Sequence, residues 1–112
     1  MKLQTAHSDD ALIVTVGAAR IDAAVAIRFK DAMRAVTEGT TGQVILDLSQ
    51  VDFVDSSGLG AIIAAMKQLG EASRLELAAL NPNVAKVFRL TRMDGIFTIH
   101  AAVPGGPAHA AG

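Results

Sequence analysis

Several residue types are scarce or absent in this chain of 112 residues. It contains no cysteine, no tryptophan and no tyrosine, and only four phenylalanines. Without cysteine there is no disulfide, no thiolate catalysis and no cysteine-ligated metal. With so few aromatic rings, the chain lacks the stacking platform on which single-stranded nucleic acids bind.

Neither charge nor hydrophobicity is concentrated in one segment. Ten basic and eleven acidic residues give a net charge of −1, and no basic stripe or acidic tail favours a nucleic acid or a membrane surface as a partner. No apolar run approaches the ~18 residues of a membrane-spanning helix, and the N-terminus lacks the apolar core of a signal peptide. We therefore expect a cytoplasmic protein that neither inserts into a membrane nor binds nucleic acid.

Residues that could support metal or hydrolytic chemistry are also missing. The three histidines, His7, His100 and His109, share no metal-ligand spacing, so we expect no metal site and no cofactor. The Gly-x-Ser-x-Gly elbow of many serine hydrolases is absent. An enzyme that uses Ser56 as a nucleophile is therefore the weakest of the functional hypotheses.

Hydrophobic periodicity predicts alternating strands and helices over residues 1–100. The predicted strands are Leu3–Ala6, Ala11–Val16, Gln43–Leu48, Arg74–Leu80 and Ile96–His100. Helices are predicted after Asp22, which would cap the first one, from Ser56 or Ser57 to about Leu69, and after Pro82. This order predicts a single α/β domain, a four- or five-stranded mixed sheet with helices packed on it. Residues 101–112 have no periodicity and are predicted to form a disordered tail.

The segment that joins the central strand to the second helix carries the chemistry. Ser56 and Ser57 follow Asp55 at the helix N-terminus, where free backbone N–H groups and the helix dipole tolerate a phosphate. Gly58 and Gly60 have no Cβ, so a partner could approach this backbone closely. The alternative is that both serines merely cap the helix.

The second helix also shows small residues on its predicted solvent side. Leu59 and Ile62 mark the face expected to pack on the core. The opposite face carries Ala61, Ala64, Ala65 and Gln68 and is predicted to dock a partner. The alternative is that alanine is used there only as a good helix former.

The segment from Val44 to Gly60, VILDLSQVDFVDSSGLG, resembles the signature of the STAS family, named for sulfate transporters and anti-sigma factor antagonists. It is similar above all to the bacterial antagonists of partner-switching systems. The resemblance extends from about Leu12 to His100. It implies that the unphosphorylated protein binds an anti-sigma factor and thereby releases the sigma factor.

The resemblance also implies roles for individual residues. Ser56 would be phosphorylated by an anti-sigma factor that is a serine kinase of the GHKL type, which ends binding, and a PP2C-type phosphatase would reverse this. Asp22 matches a family aspartate near the kinase interface, and Ser57 matches a position that is normally not the target. The expected partner-binding residues are Asp22, Asp55, Ser57, Gly58, Gly60, Ala61, Ala64 and Gln68. The protein would then be a substrate and not an enzyme.

One alternative within the same family stays open. A STAS subunit of a membrane-lipid ABC transport complex would bind the transport ATPase without a phosphorylation switch.

Overall fold

The computed structural model describes residues 1–104, which alternate between strands and helices. The strands are β1 (Leu3–Ser8), β2 (Ala11–Val16), β3 (Arg20–Ile21), β4 (Gly42–Asp47), β5 (Phe53–Val54), β6 (Ser73–Ala78) and β7 (Ile99–His100). The helices are α1 (Ala26–Thr37), α2 (Ser56–Leu69) and α3 (Pro82–Leu90), and a 3-10 turn spans Met93–Gly95. Within residues 1–104, no helix is long and apolar enough to cross a lipid bilayer.

The strands form one mixed sheet and one small ribbon. The five-stranded sheet has the order β1-β2-β4-β6-β7, in which β1 pairs antiparallel with β2 and every other pair is parallel. Separately, β3 pairs with β5 in parallel. The predicted α/β fold with a mixed sheet is confirmed.

The two faces of the large sheet are covered differently. On one face the strands contribute alternate residues, such as Val14, Leu46 and Leu77, to the main core, which also contains Phe29 of α1 and Phe88 of α3. The other face carries a second, smaller apolar cluster of Ala11, Ile13, Ile45 and Ala78. The strand β4 is therefore apolar on both faces, as its almost continuous hydrophobic run predicted.

The predicted tail begins inside the described part of the chain. Residues 101–104 follow β7, and Val103 is half-buried against the smaller apolar cluster. Residues 101–104 are therefore placed by the fold, because Val103 has apolar contacts on the second face of the sheet. The rest of the predicted tail, residues 105–112, lies outside the described residues.

The structure differs from the predicted elements at three places. The last strand is only Ile99–His100, because the N–H groups of Ile96 and Phe97 both donate to the carbonyl of Met93 and turn the chain before the strand starts. The ribbon of β3 and β5 was not predicted, since two-residue strands show no periodicity. Asp22 does not cap α1: its Oδ1 accepts from the N–H of Ala24, ahead of the helix.

The second helix packs closely against the ribbon and α1. A Cβ built on Gly58 would lie 1.8 Å from the carbonyl oxygen of Ile21, so only glycine fits there. The predicted role of Gly58 is therefore wrong: the backbone that approaches it belongs to its own chain.

Ala61 and Ala65 are also buried, in the core cluster that includes Phe29. Ala61 is thus not a partner contact, because α2 is packed by α1 as well as by the sheet.

A polar cluster lies on the second face of the sheet, around Glu76. Its Oε1 accepts from Gln43 Nε2 at 2.7 Å and lies 2.7 Å from His100 Nε2, and its Oε2 lies 3.4 Å from Arg74 Nε. Burial by itself would raise the pKa of Glu76. The hydrogen bonds from Gln43 and His100 and the positive charges of His100 and Arg74 outweigh burial, so its pKa lies below its ordinary value.

The two glycines of α2 should respond in opposite ways to the same substitution. Gly58→Ala should destabilise the protein by several kcal/mol or prevent folding, because the methyl group would overlap the carbonyl of Ile21. Gly60→Ala should stabilise it by up to about 1 kcal/mol, since alanine favours the helix and, apart from the adjacent residues and backbone of α2, no atom of residues 1–104 lies within 4 Å of the new methyl group. Urea unfolding monitored by circular dichroism measures both changes. Equal effects of the two substitutions would contradict the packing described above.

The Glu76 cluster should make stability depend on pH in the acidic range. A group with a lowered pKa stabilises the fold above its unfolded pKa and loses that contribution as pH falls through the folded pKa. Glu76→Gln should therefore cost about 1–3 kcal/mol at pH 7, and its difference from wild type should shrink as pH falls below about 4.5. Urea unfolding from pH 7 to pH 3 tests this. The exposed Glu71→Gln serves as a control without such a difference, and a constant difference for Glu76→Gln would refute the explanation.

Candidate functional site

Ser56 and Ser57 are the first two residues of α2, and both are exposed. The N-cap is Asp55, whose side chain accepts from the N–H of Gly58 at 2.8 Å. The serines are therefore not the cap, and neither hydroxyl bonds to any other residue of the described chain, 1–104. The Ser56 hydroxyl is exposed at the positive end of the helix dipole.

The carboxylate of Asp55 connects two segments of the chain. While Oδ1 caps α2, Oδ2 accepts from the N–H of Ala23, 3.3 Å away, in the turn before α1. Asp55 is half-buried, and both of its oxygens are used by the backbone. It therefore shapes the surface around Ser56 and is poorly placed to accept a proton from the Ser56 hydroxyl.

Asp22 lies in the same turn and has a similar structural role. Its Oδ1 accepts from the N–H of Ala24 at 3.1 Å, and its Oδ2 lies 3.2 Å from Arg20 Nε. The guanidinium of Arg20 in turn lies 4.1 Å above the ring centroid of Phe53, its cross-strand partner in the β3–β5 ribbon. The ribbon thus brings a cation, a carboxylate and an aromatic ring together just ahead of α2.

The exposed face of α2 differs from the predicted one. Gly60 and Gln68 are exposed and Ala64 is half-buried, so these three remain available to a partner together with Ser57. Gly58 and Ala61 are not available, since both are buried. The buried arc of the helix is wider than the predicted one, which leaves a narrower row of small residues leading away from Ser56.

Two exposed apolar side chains near this end were not predicted as part of the site. Phe53 is 39% exposed and Ile27, in the first turn of α1, is 69% exposed. The sequence signal for Ile27 is its position on the polar face of a helix. No pattern in the sequence indicates that Phe53 is exposed, because its exposure depends on the pairing of β3 with β5, which was not predicted.

Within residues 1–104 the site offers an exposed hydroxyl, and the carboxylate beside it, that of Asp55, is already bonded to the backbone. Among residues 1–104, no cluster of three or more histidine and carboxylate side chains could hold a metal ion. The sequence predicted that the histidines would not form a metal site. His100 lies on the second face of the sheet, where it contacts Glu76. His109 lies outside the described residues. The arrangement can present a hydroxyl to another protein.

Comparisons with known proteins agree with this geometry. The STAS domain model matches residues 2–105. The anti-sigma-B factor antagonist of Listeria monocytogenes is 34% identical over 85 residues, which are 73% of this chain and 73% of the relative. An anti-sigma factor antagonist from Mycobacterium paratuberculosis has a crystal structure that superposes with a TM-score of 0.81 at 25% identity, over 92% of this chain and 87% of that chain.

A second similar structure is that of the Bacillus cell fate determinant SpoIIAA in its phosphorylated form. It superposes with a TM-score of 0.63 at 20% identity and covers 98% of this chain and 96% of that one. At this identity the likeness concerns the fold alone. The family model, the Listeria relative and the topology agree, and the resemblance read from the Val44–Gly60 segment is confirmed: the chain belongs to the STAS domain family.

Proposed function

We propose that this protein is an anti-sigma factor antagonist whose unphosphorylated form binds an anti-sigma factor and releases a sigma factor, and that phosphorylation of Ser56 ends this binding. The observation that carries the proposal is the exposed hydroxyl of Ser56 at the start of α2, which has no hydrogen-bond partner within residues 1–104 and stands next to a cap that Asp55 already provides. The Listeria relative, named as an anti-sigma-B factor antagonist, supports the functional class.

The hydroxyl of Ser56 is suited to be a phosphate acceptor. It has no hydrogen-bond partner to give up within residues 1–104, and the helix N-terminus offsets part of the incoming negative charge. A bound serine kinase of the GHKL type supplies ATP and the base. The Ser56 oxygen attacks the γ-phosphorus, the bond to the β-phosphate oxygen breaks, ADP leaves and the hydroxyl proton passes to the base of the kinase. The protein is then a substrate, and a PP2C-type phosphatase restores the hydroxyl by hydrolysis.

The partner surface follows from what is exposed around Ser56. Ser57, Gly60, Ala64 and Gln68 form the accessible row on α2. Asp22 and Asp55 hold the neighbouring turn in place through their bonds to Ala24 and Ala23. Because the residues next to Ser56 on this row are small, the backbone of a partner can approach the helix closely.

Phosphorylation acts at this surface by charge and leaves the fold intact. A phosphate adds close to two negative charges at pH 7. In the free protein, water and the helix N-terminus accommodate them, whereas in a complex an unpaired buried charge costs several kcal/mol. A difference of about 3–4 kcal/mol weakens binding by two to three orders of magnitude.

Substitution of Ser56 tests the switch directly. Ser56→Ala should bind the cognate anti-sigma factor kinase with or without ATP, and Ser56→Asp should bind it at least about tenfold more weakly while remaining folded. Ser57→Ala is the matched control and should keep the switch. Mass spectrometry after incubation with kinase and ATP locates the phosphate, and calorimetric titration measures the affinity.

Two results would contradict this proposal. One is a phosphate at Ser57 or elsewhere. The other is a Ser56 phosphoform that binds as tightly as the unmodified protein. That second result is the one expected of a subunit of a membrane-lipid transport complex, which binds its ATPase without a phosphorylation switch.

The row of small residues on α2 is tested by enlarging one of them. Ala64→Arg should abolish binding to the anti-sigma factor because the long side chain blocks close approach. Ala35→Arg, at an exposed position of α1, is the matched control and should bind normally. Thermal unfolding of both variants shows that the fold is retained. Equal affinity of the two variants would remove α2 from the interface.

A further inference from the structure

One edge of the sheet is left partly open. The strand β6 pairs with β4 along all six of its residues, from Ser73 to Ala78. On its other side, β7 pairs with it only at Leu77 and Ala78. The first part of β6 therefore has a strand on one side alone.

The peptide groups of Leu75 point toward this open side. The N–H groups of Leu77 and Ala79 donate to the carbonyls of Thr98 and His100, so odd-numbered residues of β6 face β7. Residue 75 has the same orientation, because backbone groups alternate along a strand. Within residues 1–104, neither the N–H nor the carbonyl of Leu75 has a hydrogen-bond partner. Unpaired backbone groups in a strand are uncommon and form a template for another strand.

A recess of about 440 Å³ lies beside this open edge. Its walls include Met66 and Gly70 at the end of α2, Leu75 of β6, and Ile96 and Thr98 ahead of β7. Ile96 is 56% exposed although it is a large apolar side chain. The recess thus combines the unpaired backbone groups of Leu75, a residue that is 5% exposed, with both apolar and polar lining side chains, the polar ones including Ser73 and Glu76. This suits an extended chain that carries an apolar side chain.

The charge beside the recess narrows the class of ligand. Arg74 and Glu76 also line it. The Arg74 side chain is 73% exposed, whereas that of Glu76 is 10% exposed and is held by Gln43 and His100, so Arg74 is the charge that a ligand can reach. Its contact with Glu76 is 3.4 Å long, and exposed contacts of this kind contribute little. On an added strand, the side chain next to Arg74 lies on the face opposite to the one that meets Leu75, since side chains alternate.

We propose that the open edge of β6 binds an extended peptide segment of another protein, in which an acidic residue is flanked by apolar residues. The segment pairs with the backbone of Leu75 and extends the sheet along β6. One of its apolar side chains lies among Met66, Leu75 and Ile96, and its acidic side chain pairs with Arg74. A second folded copy of this chain fits poorly, because the open edge is short and recessed between Gly70 and Ile96.

This surface is separate from the serine end. Ser56 begins α2, whereas Met66 and Gly70 lie at its other end. A helix of 14 residues is roughly 20 Å long at about 1.5 Å per residue. The inference therefore does not rest on the proposed function, and the protein could hold a peptide here while Ser56 is engaged.

Hydrogen exchange tests the open edge in the free protein. The amide of Leu77 donates to Thr98 and should be protected, whereas the amide of Leu75 should exchange faster by on the order of a hundredfold. Amide exchange followed by NMR on the full chain measures both. Equal protection of the two amides would show that the edge is already paired and would overturn the proposal.

Peptide titration tests the ligand. The probe is acetyl-Thr-Val-Glu-Val-Thr-amide, and the control replaces its Glu with Lys. The first peptide should shift the NMR signals of Leu75 and Thr98 and slow exchange at Leu75, and the Lys peptide should bind about tenfold more weakly. Arg74→Glu should reverse this preference. Ile96→Ser should weaken binding of the first peptide about tenfold, since it removes one buried apolar contact.

The control variant is Ile27→Ser, which alters an exposed isoleucine at the other end of the molecule and should leave peptide affinity unchanged. Failure of both peptides to bind the wild-type protein would overturn the proposal. Equal affinity for the two peptides, or equal effects of Ile96→Ser and Ile27→Ser, would do the same. None of these outcomes depends on whether Ser56 is phosphorylated.

Discussion

The carboxylate of Asp55 holds together the end of the molecule that carries the serines. It bonds to Gly58 at the start of α2 and to Ala23 in the turn before α1, so the two helices share one anchor. Close contact between Gly58 and the carbonyl of Ile21 then fixes how near α2 lies to the β3–β5 ribbon. Because Asp55 occupies the cap, the Ser56 hydroxyl is spared a structural role. The chemistry of this end depends on these separate roles: Asp55 caps the helix, and Ser56 presents its hydroxyl to solvent.

The two faces of the large sheet are covered in different ways. The helices bury one face in a continuous core, and Val103 with a polar cluster around Glu76 covers part of the other. Within this frame α2 is a rigid spacer: Ser56 stands at one end of it and the recess beside Leu75 at the other. The two surfaces therefore lie at opposite ends of one helix, and the two binding events proposed above would not compete for the same residues.

The sequence predicted well those features that depend on long periodic segments. The strand at Gln43–Leu48, the helix from Ser56 to Leu69 and the exposed position of Ser56 were all evident in the pattern of apolar and turn residues. It predicted poorly the features that depend on which neighbour an element meets. The burial of Ala61 follows from the packing of α1 against α2, and the role of Gly58 follows from a contact with Ile21, far away in the sequence. No local pattern carries such information.

The partly unpaired edge of β6 is another feature that the sequence pattern did not predict. Alternation along Ile96–His100 predicted a strand of ordinary length, but two hydrogen bonds to the carbonyl of Met93 delay its start to Ile99. The recess exists because of that delay. A local turn, decided by a few backbone groups, thereby determines how much of a long-range strand pair can form.

The strand order also bears on how this chain reaches its native state. In the large sheet, β1 and β2 are joined by a tight turn and can pair locally. The parallel pairs β2–β4, β4–β6 and β6–β7 are each separated in the sequence by a helix and form only when that connection brings the two strands together. Contacts between residues far apart in the sequence slow folding, because the entropy of closing the intervening chain is lost before the pairing is gained. The β1–β2 hairpin is therefore the natural first structured unit, and the short β7, which completes the sheet, can be added only after β6 is in place.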